Sequence, residues 1–127
     1  MKLEAAVRAR ARSFVHAGAG VAAMFRTQPN ARIHALVAFA VVGAGLAFDV
    51  SRLEWCWLVL AIALVLAAEC LNTALESLAD AVAPEPHPLV GRAKDAAAGG
   101  VLLTAIGAAL VGLLVLVPHL LASLRGA

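Results

Sequence analysis

The sequence predicts an all-α integral membrane protein, with three transmembrane helices preceded by an N-terminal amphipathic surface helix. Three observations lead there. Apolar residues make up 63% of the 127 positions and charged ones only 14%, whereas soluble domains average about 45–50% and 25%. The mean hydropathy of +0.93 is more than a domain this short can hide from water. The apolar residues also fall into three long runs joined by short polar connections, the pattern of a chain dissolved in lipid. The length suits one domain.

The first segment, residues 1–28, carries Lys2, Arg8, Arg10, Arg12 and Arg26 against one acid, Glu4. A basic helix of this kind suits the plane of a membrane surface. The chain has no tyrosine and no base-stacking pattern beside its arginines, so a nucleic-acid partner is not expected. Gln28-Pro29-Asn30 predicts a break, because proline biases the preceding residue away from helical geometry.

The first span is expected over 31–48. Its apolar run, 33–48, holds His34 as its one ionisable group and is slightly short for the ~20 residues a span needs, so the helix should start earlier. Residues 49–54 then force an antiparallel hairpin. The second span, 55–80, is uncharged as far as residue 68 and then meets Glu69, Asn72, Glu76 and Asp80. A loop is expected over 81–93, where Pro84, Pro86 and Pro88 interrupt any helix. The third span, 94–120, contains 23 consecutive uncharged residues from 96 to 118. Within it Ala96, Gly100, Thr104, Ala108 and Gly112 recur every four residues, a ridge that permits close helix approach. Three helices form a thin bundle, so an oligomer is expected.

Orientation follows from basic residues. A cytoplasmic N-terminus leaves eight basic residues on the inner side, including Arg32, Arg92 and Lys94, against Arg52 and Arg125 outside. Trp55 and Trp57 then mark the outer interface. Cys56 and Cys70 are 14 residues apart, about 21 Å along one helix, and are expected as small apolar residues rather than a disulfide.

The second span carries the chemistry. At about 100° per residue, Glu69, Asn72, Glu76 and Asp80 fall within a sector of about 80°. Ionisable groups in hydrocarbon are costly and mark function by default. The bland alternative is interhelical glue, with partners among Thr104, Asn30, Arg92 and Lys94. Close carboxylates need protons or a cation to coexist, and oxygen ligands near the cytoplasm suit Mg²⁺ together with substrate phosphates. Lys94 can reach phosphate oxygens, and Asp95 beside it can position it. Carboxylates, a lysine and an apolar wall together point to phosphoryl transfer onto a lipid. No P-loop is present. His34 is expected at the interface, and His16 and His119 on the surface.

Glu69-Cys70-Leu71-Asn72-Thr73-Ala74-Leu75-Glu76 resembles the E-x-x-N-S/T-A-x-E signature of the prokaryotic diacylglycerol kinases. His87-Pro88-Leu89-Val90-Gly91-Arg92-Ala93-Lys94-Asp95 is similar to that family's loop, with its A-K-D ending. Asn30-Ala31-Arg32-Ile33-His34 resembles the N-x-R-I-H element of the branch that includes undecaprenol kinases. The likeness runs from about residue 20 to 117.

The resemblance implies a homotrimer in the bacterial inner membrane, with ATP and Mg²⁺ used at shared cytoplasmic sites to phosphorylate diacylglycerol or undecaprenol. It implies Glu69 as general base, Asn72 as orienting group, Glu76 as metal ligand, Lys94 on the transferred phosphate with Asp95 supporting it, and Asp80 and His87 at the nucleotide. Gln28 departs from the family. It stands where a glutamate usually shares the metal with the equivalent of Glu76, so one negative charge is missing from the site. Residues 17–22 also lack the basic and aromatic residues often found there. A non-enzymatic lipid- or nucleotide-binding relative is therefore the alternative. A proton-coupled transporter is disfavoured by the uniformly apolar outer halves of all three spans.

Overall fold

The computed structural model describes residues 2–126. These form four helices: α1 (Lys2–Thr27), α2 (Pro29–Ala47), α3 (Arg52–Val82) and α4 (Pro88–Gly126). The last three are long and apolar enough to cross a membrane. At 1.5 Å per residue, the 19 residues of α2 reach about 28 Å, close to the hydrocarbon thickness. The 31 residues of α3 and 39 of α4 extend well beyond it.

Each break has a local cause. Gln28 is extended, with φ −106° and ψ 110°, and Pro29 opens α2, where its missing N–H and fixed φ cost nothing. Arg32 crosses this break. Its Nε donates to the Phe25 carbonyl at 2.8 Å and its Nη2 to the Arg26 carbonyl at 2.6 Å. One guanidinium thus satisfies carbonyls that the end of α1 leaves orphaned.

The α2–α3 turn is closed by Val50 N–H donating to the Gly45 carbonyl at 3.1 Å. Asp49 sits at φ +50°, a left-handed conformation that short polar side chains tolerate. Ser51 and Glu54 then form a reciprocal capping box on α3, worth about 1 kcal/mol. Across the turn the Trp55 ring packs close against Gly45, where an added Cβ would stand 2.8 Å from its Cη2.

The α3–α4 connection is only residues 83–87. The loop expected over 81–93 is therefore shorter, and Arg92 and Lys94 lie within a helix. Pro88 begins that helix instead of interrupting it, because proline is compatible with a first helical position. His87 caps the start of α4, its Nδ1 accepting the Leu89 N–H at 3.3 Å.

α3 packs chiefly against α4, with α2 alongside α3. The core near the α2–α3 turn is Val50, Leu58 and Val115, flanked by Val41, Phe48, Trp55 and Leu116. His119, expected as a surface residue, is half-buried there. It stacks on Phe48 and contacts Glu54 Oε1 at 2.9 Å. At the other end Met24 and Ala31 are fully buried, which seats the end of α1 on the bundle. Elsewhere the large apolar side chains face outward: Leu36, Phe39, Leu103 and Leu114 are each more than 70% exposed.

Candidate active site

The polar stripe of α3 emerges gradually from the protein. Glu69 and Asn72 are buried, Glu76 is half-buried and Asp80 is exposed. The buried end faces α2 and the end of α1. Gln28 Nε2 donates to Glu76 Oε2 at 2.6 Å, and Asn72 Nδ2 donates to Glu76 Oε1 at 3.2 Å. Both Glu76 oxygens are therefore held by neutral amides.

Glu69 is placed differently. The Thr73 hydroxyl donates to its backbone carbonyl at 2.7 Å, but its carboxylate oxygen Oε1 is buried without a hydrogen bond, as is Asn72 Oδ1. Leaving a buried acceptor unpaired costs about 1–3 kcal/mol, and more when charged. His34 Nε2 stands 3.4 Å from Glu69 Oε1. That is contact distance for an ion pair but beyond the 2.7–3.2 Å of a good N–H···O bond, so the oxygen is approached rather than satisfied. The neighbouring Cys70 thiol meets the Met24 thioether at 3.3 Å, which fastens α1 beside the stripe.

The remaining predicted residues gather one turn further on. Lys94 Nζ donates to Asp80 Oδ1 at 2.8 Å. With Pro84, Glu85 and His87 this pair lines a cleft of about 480 Å³ between the end of α3 and the start of α4. Asp95 is exposed and does not line it. The carboxylate beside Lys94 is thus Asp80 rather than Asp95.

Of the partners expected for interhelical glue, Lys94 engages the stripe, at Asp80, while Glu76 is tied across the helices by Gln28 instead. Thr104 spends its hydroxyl on the carbonyls of Gly100 and Val101 in its own helix, and Asn30 is exposed. Neither satisfies Glu69.

His34 is the residue that sequence reasoning missed at this site. A signal existed, since His34 lies 17 residues before Ser51 and Glu69 lies 18 after it. Antiparallel helices rise equally per residue, so a tight hairpin at Ser51 sets the two level. Gln28, 23 residues before Ser51, and Glu76, 25 after it, come nearly level by the same reasoning.

An apolar groove of about 590 Å³ runs between α2, α3 and α4. His34, Val65 and Leu66 mark its end beside Glu69, and Phe48 and Leu120 its end near the hairpin. Alanines and Gly112 along α3 and α4 keep it open.

Among the described residues no three His, Cys, Asp or Glu side chains converge as a metal site. Glu76 with two amide side chains is a sparse donor set, but it suits Mg²⁺ carried in on phosphates, which commonly takes one or two protein carboxylates. The Gln28 amide must turn over for its oxygen to face such a cation.

A family model described as prokaryotic diacylglycerol kinase matches residues 15–116. The undecaprenol kinase of Bacillus subtilis is 41% identical over 109 residues, covering 86% of this chain and 89% of that protein. A diacylglycerol kinase of Synechocystis is 46% identical over 110 residues, 86% of this chain and 63% of its own length. A diacylglycerol kinase of Pseudomonas aeruginosa is 38% identical over 90 residues, 69% of this chain and 73% of its own. The match spans both the α3 stripe and the α4 lysine, and the chain belongs to the prokaryotic diacylglycerol kinase family.

Proposed function

We propose that this protein is a lipid kinase that transfers the γ-phosphate of ATP to the hydroxyl of a membrane lipid, diacylglycerol or undecaprenol. One observation carries the reading: a buried carboxylate oxygen of Glu69 without a hydrogen-bond partner lies beside the end of an apolar groove. A lipid alcohol supplies both missing halves, an O–H for the carboxylate and a tail for the groove. The names of the relatives above, and the 89% of the undecaprenol kinase that is covered, tilt the substrate towards undecaprenol.

In this reading Glu69 accepts the hydroxyl proton while the lipid oxygen bonds to the γ-phosphorus. The bond from that phosphorus to the bridging oxygen breaks and ADP leaves. Asn72, its Oδ1 unpaired, orients the reacting groups. Lys94 leaves Asp80 to hold the transferred phosphate with Asp95 in support, while Asp80 and His87 face the nucleotide. Mg²⁺ held by Glu76 and the Gln28 amide would neutralise charge on the phosphates. Residues 31–48, 55–80 and 94–120 cross the membrane, almost wholly as α2, α3 and α4. α1 lies as an amphipathic helix on the cytoplasmic face, and three chains share their sites in the bacterial inner membrane.

Transfer of labelled phosphate from ATP to diacylglycerol and to undecaprenol, in mixed micelles with Mg²⁺ and with chelator, tests this. Metal-dependent product supports the kinase, and the faster substrate names the lipid. The amide clamp on Glu76 favours one second reading, a binding protein without turnover. No product from a folded oligomer, with turnover gained by Gln28→Glu, would establish that reading instead.

A further inference from the structure

A base that is buried must also dispose of its proton. Glu69 has 3% of its side chain exposed, so a proton taken from a lipid hydroxyl has no direct route to water. Among the described residues His34 is the basic side chain that contacts it, with Nε2 at 3.4 Å from Oε1. His34 is itself 24% exposed. It also lies five residues into α2 from Pro29, only about 7.5 Å along the axis from that helix end. It therefore touches the buried carboxylate while keeping part of its own surface open, near the end of the helix.

We propose that His34 is the positioning residue and proton exit of Glu69, an inference that rests on the kinase reading above. In the proposed step His34 presents an Nε2 that carries no proton to Glu69, its ring proton resting on Nδ1. When the lipid oxygen bonds to the γ-phosphorus and ADP departs, the hydroxyl proton resides on Glu69. That proton passes to Nε2 as the contact closes by a few tenths of an ångström, which regenerates the carboxylate. The imidazolium then releases a proton from Nδ1 to interfacial water, and return of the remaining ring proton from Nε2 to Nδ1, by exchange with water, readies the pair for another turnover. Hydrogen bonds of this type are commonly long before substrate binds and tighten in the complex. His34 also borders the groove, so the same ring separates the tail from the base.

Two other ionisable groups assigned to the reaction are already engaged. Glu76 already has both oxygens engaged by Gln28 and Asn72. Lys94 is engaged by Asp80 in the separate cleft between α3 and α4.

The test is steady-state kinetics of purified His34→Ala and His34→Gln in lipid micelles, with and without added imidazole, beside Glu69→Gln. Alanine leaves a space that imidazole can enter, whereas glutamine keeps a donor near Glu69 but carries no proton onward. The expected result is a fall in kcat of about a hundredfold in both variants, the lower end for positioned proton-transfer groups. KM for lipid and nucleotide should stay near wild type, and imidazole should restore His34→Ala but not His34→Gln. A fall of less than about tenfold in His34→Gln, or no recovery of His34→Ala by imidazole, would overturn the proposal. Should His34→Ala fail to fold, His34→Gln decides alone by the same threshold. Full turnover in Glu69→Gln would overturn the base assignment and the exit with it. A dead Glu69→Gln beside fully active His34 variants would overturn the exit alone.

Discussion

Glu76 is the most constrained side chain of the site, because each oxygen accepts an amide hydrogen, one from Gln28 at 2.6 Å and one from Asn72 at 3.2 Å. Gln28→Glu replaces a donor with a second carboxylate at this short range, so repulsion takes the place of a hydrogen bond. Thermal unfolding in detergent without divalent cation should show a loss of about 1–3 kcal/mol. Mg²⁺ should restore it and should bind the variant measurably in calorimetry without nucleotide. Equal stability with and without the metal would mean that Gln28 does not sit on Glu76. The Lys94–Asp80 pair makes the opposite prediction. Asp80 has 71% of its side chain exposed, and exposed pairs contribute about 0–1 kcal/mol. Asp80→Ala and Lys94→Met should therefore leave the melting temperature nearly unchanged. Lys94→Met should nevertheless abolish phosphate transfer, since it removes the one side-chain cation the reading assigns to the moving phosphate.

At the scale of elements, the α2–α3 hairpin sets the register of the site. Its tightness depends on Trp55 lying against Gly45, where a methyl group would stand 2.8 Å from the ring. Gly45→Ala should destabilise the protein by about 1–3 kcal/mol through overpacking, and Trp55→Leu should recover part of that loss in a double-mutant cycle. Additive losses would place the strain elsewhere. Arg32 does for the α1–α2 break what Ser51 does for α3, in that it caps a helix end. It acts from the following helix, so Arg32→Ala loosens α1 itself. Faster proteolysis between α1 and α2 is the expected outcome. The loop over 83–87 is held less by packing than by caps, with His87 on the Leu89 N–H and Ala83 N–H on the Ala79 carbonyl.

Taken as a whole molecule, a single chain has a small core and a large apolar exterior. Leu36 at 71%, Phe39 at 76% and Leu114 at 77% exposure would be untenable in water at about 25 cal/mol per Å² of apolar surface. Lipid tails and neighbouring chains are the two surfaces that can cover them. Under the proposed trimer, light scattering of the detergent-solubilised protein should give three chains per particle. A monomer that keeps full turnover would show that one chain completes the site unaided.

Much of this was legible in the chain itself. Three runs of apolar residues, the break at Pro29, the short polar link before Trp55 and the four polar groups on one face of α3 are local patterns, and helical periodicity is a property of one segment alone. The tertiary structure decided the partners. His34 stands against Glu69, a partner its place in the sequence did not name, Lys94 meets Asp80 rather than Asp95, and His119 joins Glu54 and Phe48 rather than the surface. Pro88, which resembles a helix breaker within its loop, opens α4. The physical reason is the same in each case. Which side chains share a helix face follows from 3.6 residues per turn, but which face meets which neighbour depends on turn geometry at Asp49 and on the close approach at Gly45, and these are settled only when the helices pack.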